Sequence, residues 1–123
     1  MSTPRDDLIY VEDMLARTRR VLAKTAGVDW EQFRDDEDLH DIAERSISIL
    51  GEAASKVSAD FRLAHPEIPW ASATGMRHKI VHDYFEVSYR VLWSVIRDEL
   101  PSLEQALDEL QSDASESSAG HAE

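Results

Sequence analysis

The sequence predicts an all-α fold, an antiparallel bundle of about four helices in one domain. Three observations predict it. Its 123 residues contain only four glycines and four prolines, so long uninterrupted stretches lie between breakers. Within those stretches apolar residues recur at i, i+3, i+4 and i+7, the period of a helix with one buried face. No stretch carries the alternation of a strand, and no internal repeat is present. The length suits one hydrophobic core and is too short for two.

The first helix is expected from Asp6 to about Lys24. Leu8, Val11, Leu15, Thr18, Leu22 and Thr25 form its stripe, widened by Ile9, Met14 and Val21. Pro4 precedes it as a first-turn residue and Gly27 follows as a stop. Glu12, Arg17, Arg19 and Arg20 make its solvated side. Trp30–Phe33 reads as a short helical turn that pins two aromatics under the connection. A second long helix runs from about Glu37 to Val57, with Leu39, Ile42, Ala43, Ser46, Ile49, Leu50, Ala53 and Val57 inward. Gly51 lies in its middle, where glycine costs about 1 kcal/mol relative to alanine. Such a glycine marks close helix approach, either to a neighbour in the same chain or to the same helix of a second subunit.

Proline at 66 and 69 breaks the pattern, because each forces the residue before it towards an extended conformation. A third helix starts near Pro69-Trp70 and carries Trp70, Thr74, Met76 or Arg77, and Ile80 or Val81. The fourth spans about Ser88 to Leu110, with Val91, Leu92, Val95, Ile96, Leu100, Leu103, Leu107 and Leu110 inward. Pro101 kinks or divides it. Residues 1–110 thus form the helical domain, and 111–123 a disordered acidic, serine-rich tail without an apolar anchor.

Composition narrows the function. There is no cysteine, which excludes disulfides, thiolate metal sites and a cysteine nucleophile. No apolar run approaches the ~20 residues needed to span a bilayer. The polar, acidic start of the chain is unlike a secretory signal, so a cytoplasmic protein without a membrane partner is expected. With 13 Lys and Arg against 25 Asp and Glu, the net charge is −12. An acidic surface repels nucleic acid, so any such contact must be confined to a local basic site. The acidic runs Asp6-Asp7 and Asp35-Asp36-Glu37-Asp38 lack the spacing of a calcium loop, and helix N-termini explain both.

One segment departs from this acidic background. From Arg77 to Tyr84 the chain packs Arg77, His78, Lys79, His82, Asp83 and Tyr84 into eight positions. A guanidinium grips a phosphate by a two-pronged contact, an imidazole exchanges protons near neutral pH, and a phenol adds a hydroxyl. That set suits phosphoryl chemistry. On one helix, at about 100° per residue, Arg77 and Tyr84 share a face but His82 lies about 140° from Arg77. Either the helix ends near His82 or a second subunit completes the site. Each residue also has an ordinary structural explanation. Arg77 would pair with Glu52 or Glu86, His82 would favour the negative end of a helix dipole, and Tyr84 would edge the core. Zinc binding by His78 and His82 at i, i+4 is a further alternative.

Arg77, four residues, His82, one residue and Tyr84 match the R-x4-H-x-Y signature of the HEPN superfamily, and the chain resembles its HepT-like toxins. Ile47–Ala54, Ile68-Pro69-Trp70, Gly75-Met76-Arg77 and Val81–Phe85 carry the resemblance, which spans about residues 5 to 110. His78 stands where asparagine is common in such proteins. The resemblance implies a homodimer whose paired signatures line a cleft, within a type VII-like toxin–antitoxin pair. It implies metal-independent endoribonuclease activity, with RNA rather than DNA as substrate and no cofactor. It also implies an MntA-type nucleotidyltransferase antitoxin that transfers AMP to Tyr84, in a heteromeric complex with the toxin. Arg77 and His82 would then be catalytic, Tyr84 would orient phosphate or be modified, and His78, Lys79 and Asp83 would support them. An inactive docking module for the same partner is the competing expectation.

Overall fold

A computed structural model describes residues 4–81 and 89–121. All its regular elements are helical among the described residues. Helix α1 spans Pro4–Thr25, α2 Trp30–Arg34, α3 Glu37–Lys56, α4 Ala59–Ala64 and α5 Trp70–Val81. Helix α6 (Tyr89–Ser94) runs through a π-helical turn (Val95–Glu99) into α7 (Leu100–His121). The long helices are those read from the periodicity. The short α4 was not expected, because its start is signalled only by Ser58, whose hydroxyl accepts from Phe61 N–H at 3.2 Å.

Local chemistry places the ends. Gly27 adopts φ +75° just beyond α1, a left-handed conformation that suits glycine. Asp29 and Gln32 form a reciprocal capping box on α2, and Asp36 caps α3 by accepting from Leu39 N–H at 3.1 Å. Asp36, Glu37 and Asp38 therefore open α3, as their position at a helix start requires.

Helix α1 packs against both α3 and α7, and α3 packs on its other side against α5. Contacts between ends fix the directions. Asp7, at the start of α1, binds Ser58, just past the end of α3. Arg19, late in α1, pairs with Glu104 and Asp108 of α7, while Arg5 and Ile9 line a groove with Gln111 and Ala114. Both α3 and α7 are thus antiparallel to α1.

One core runs through the bundle, including Val11, Met14, Phe33, Ile47, Leu50, Ile68, Met76, Ile96, Leu103 and Leu107. Thr18 and Thr25 sit in its wall because their hydroxyls donate to the carbonyls of Met14 and Val21, both at 2.8 Å. Several expected inward residues are displaced. Ile9 and Val91 are exposed, and Ile42 and Ile49 are half-buried, while Ile47 takes the inward position on α3. A stripe of apolar residues wider than one face cannot all turn inward, and neighbours decide which do.

At Pro101, where a kink or a division was expected, the α-helix is interrupted by the π turn Val95–Glu99 that separates α6 from α7. Pro101 lies in the first turn of α7, directly after the π turn, where Leu100 N–H bonds to Val95 C=O. Proline lacks the donor of an α-helical bond and crowds the carbonyl four residues back, and a π turn widens the helix at that point. The helix continues past Gln111 to His121, through the segment expected to be a disordered tail. Its last buried residue among the described side chains is Leu110.

Candidate functional site

The described part of the signature segment is the last turn of α5. Trp70, Ala73 and Met76 are buried and fix the helix against the core. The Trp70 indole donates to the His65 carbonyl at 2.9 Å, which ties the start of the helix to the proline-rich turn. One residue beyond Met76 the surface changes character, and Arg77, His78 and Lys79 are all exposed. Their position at the C-terminal end of the described helix suits cations, because the carbonyl end of the dipole is negative.

Each of two cations meets a carboxylate from another helix. Arg77 Nη1 pairs with Glu52 Oε2 of α3, and Glu52 Oε1 also faces Lys56 Nζ at 3.9 Å. Lys79 Nζ lies 3.5 Å from Glu99 Oε2 in the π turn, whose other oxygen accepts from the Ser72 hydroxyl at 2.8 Å. Of the two partners named for Arg77 from the sequence, Glu52 is therefore a partner, and Glu86 lies outside the described residues. The Lys79–Glu99–Ser72 cluster was not anticipated, since nothing in a sequence marks residues 20 and 27 positions apart as neighbours.

The crossing of α3 and α5 explains how Arg77 and Glu52 meet. A Cβ built on Gly51 would lie 2.9 Å from Arg77 Cβ and 3.4 Å from the Ala73 carbonyl oxygen. Only glycine lets the backbones approach so closely. The close approach inferred for Gly51 is thus to α5 of the same chain.

His82, Asp83 and Tyr84, and with them the expected helix end near His82 and the His78–His82 zinc geometry, lie outside the described residues. Among the described residues no cluster of His, Asp or Glu is placed to hold a metal ion, and no helix is long and apolar enough to cross a membrane. Arg90, a further cation at the start of α6, has its guanidinium 4.2 Å over the Trp30 ring. It belongs to an aromatic cluster in which His40 stacks on Tyr89 at 3.7 Å and bonds the Phe33 carbonyl at 2.6 Å.

Fold and surface together define an all-α domain with a cationic, exposed helix end on an acidic body. Comparison with known proteins makes this specific. Residues 13–110 match the model of the family described as ribonuclease HepT-like. The chain belongs to the HepT-like family. A candidate RNase of Caldanaerobacter subterraneus subsp. tengcongensis is 36% identical over 110 residues, covering 89% of this chain and 96% of that protein. A probable ribonuclease HepT of Thermococcus cleftensis is 34% identical over 102 residues, covering 83% and 93%. No solved structure gives a significant match. The matched span ends at Leu110, the last buried residue among the described side chains of α7, so family and core cover nearly the same chain.

Proposed function

We propose that this protein is a metal-independent endoribonuclease and the toxin of a type VII-like toxin–antitoxin pair. The observation that carries the reading is the family match, which spans the whole signature from Arg77 to Tyr84 and extends over most of the chain. The exposed last turn of α5 supports it, because a clamp for a phosphate must reach solvent. The folded body to about Leu110 is the functional unit, and residues 111–123 are dispensable for cleavage.

In this reading Arg77 clamps the scissile phosphate and stabilises charge that develops on it in the transition state. His82 takes the proton of the ribose 2′-hydroxyl or returns one to the leaving oxygen. A homodimer brings two such sets to one cleft and so supplies both an acid and a base. His78, Lys79 and Asp83 support the clamp. Tyr84 orients the phosphate, and its modification by an MntA-type nucleotidyltransferase adds bulk and negative charge that repel RNA.

Cleavage of RNA in the presence of EDTA tests the core claim. His82→Ala and Arg77→Ala are expected to lower the rate by about 10²-fold or more, the range for removing a proton-transfer group or a transition-state donor. Wild-type protein no more active than His82→Ala sinks the nuclease. If that protein also fails to arrest growth when induced, the docking-module reading replaces it. Intact mass after incubation with the nucleotidyltransferase and ATP tests the switch. An AMP adduct that persists in Tyr84→Phe removes Tyr84 from it.

A further inference from the structure

The Arg77–Glu52 pair sits at the one place where α3 and α5 are brought together by a glycine. Residue 51 removes the side chain that would keep Arg77 away, and residue 52 supplies the carboxylate that engages it. Glu52 is steadied in turn by Lys56, one turn further along α3. Both partners are about half exposed, at 50% and 45%, so solvent screens the pair and it adds little to folding stability. Its consequence is directional. A guanidinium on a long, rotatable stem is held by one of its terminal nitrogens, and among the described residues Glu52 is the partner of Arg77, which leaves further donors to meet an incoming phosphate.

We infer that Glu52 is a positioning residue for Arg77, aiming the guanidinium while its own charge weakens the attraction for RNA. The inference rests on the ribonuclease reading above. It makes a two-signed prediction that a purely structural role does not. Removing the anion beside the clamp favours binding of a polyanion, because like charges no longer oppose each other. Removing the hold on the guanidinium lowers turnover, because a misplaced group loses most of its effect on the reacting atoms.

The test compares wild-type full-length protein with Glu52→Gln and Glu52→Ala on a fluorogenic RNA. Glutamine keeps an oxygen that accepts from Nη1 but carries no charge. Both variants are expected to lower KM by roughly 2- to 5-fold, as loss of a nearby like charge allows. Glu52→Ala is expected to lower kcat by about 10-fold, and Glu52→Gln by less. In an Arg77→Ala background Glu52→Ala should change kcat by less than about 2-fold, since a residue acting through another has nothing left to act on. Unchanged kcat in Glu52→Ala overturns the inference, and so does an effect that persists without Arg77. Protein that leaves RNA uncut fails the ribonuclease reading separately. The positioning is then decided by the Arg77 Nε–H resonance, expected to be resolved in the wild type and merged with free arginines in Glu52→Ala. A resonance unmoved by that substitution overturns it.

Discussion

Helices α1 and α5 are tied to α3 and its C-terminal end through carboxylates placed in opposite environments. Beyond that end, Asp7 of α1 reaches Ser58, accepting from the backbone N–H at 2.8 Å and the hydroxyl at 2.7 Å. Asp7 is 2% exposed, and the same hydroxyl caps α4. On the other side, Glu52 reaches Arg77 in the open. The same functional group serves architecture where it is buried and fully bonded, and leaves room for chemistry where it is half exposed. Burial sets the difference: a buried acceptor stripped of its donors costs much, whereas an exposed pair exchanges its partner for water at little cost.

Substitutions that break this contrast should order accordingly. Asp7→Ala leaves the half-buried Ser58 donors without their acceptor and should cost about 1–2 kcal/mol in denaturant unfolding, with kcat per folded molecule unchanged. Gly51→Ala gains about 1 kcal/mol of helix propensity. It also forces α3 and α5 apart, an overpacking cost of about 1–3 kcal/mol, so the net effect should be a small loss of stability. Unlike Asp7→Ala, it should also lower cleavage, because Arg77 moves with α5. Glu52→Gln should change stability by less than about 0.5 kcal/mol while altering KM and kcat in the senses given above. An Asp7 variant that alters KM as Glu52→Gln does would erase the distinction.

The smallest effect is expected at Glu44, on α3. Burial, and then the neighbouring Asp41, raise its carboxyl above the ordinary range. Folding therefore disfavours its charged form, and that penalty is present above the raised folded-state value and vanishes below the ordinary unfolded one. Glu44→Gln should raise the melting temperature slightly at neutral pH and lose this advantage as the pH falls through the carboxylate range. A gain that is the same at pH 3 and pH 7 would assign the effect to packing instead.

Several features are legible in the sequence. The long helices followed from apolar spacing, and the acidic run Asp35–Asp38 lies at the start of α3, as a helix N-terminus explains. Gly51 announced a close approach because glycine is otherwise costly inside a helix. Other features were hidden. The sequence offered Met76 or Arg77 as the inward residue, and packing against α3 put Met76 in the core and Arg77 at the surface. The Lys79–Glu99–Ser72 cluster and the His40–Tyr89 stack join residues far apart in the chain, and no periodicity reports such a meeting.

By itself the sequence determined the long helices and most of their buried faces and set apart the segment from Arg77 to Tyr84, because period and side-chain type are local properties. The tertiary structure alone decided what that segment faces. Arg77 meets Glu52, and Lys79 meets Glu99, because three helices converge there, and which helices converge is settled by how the whole core packs.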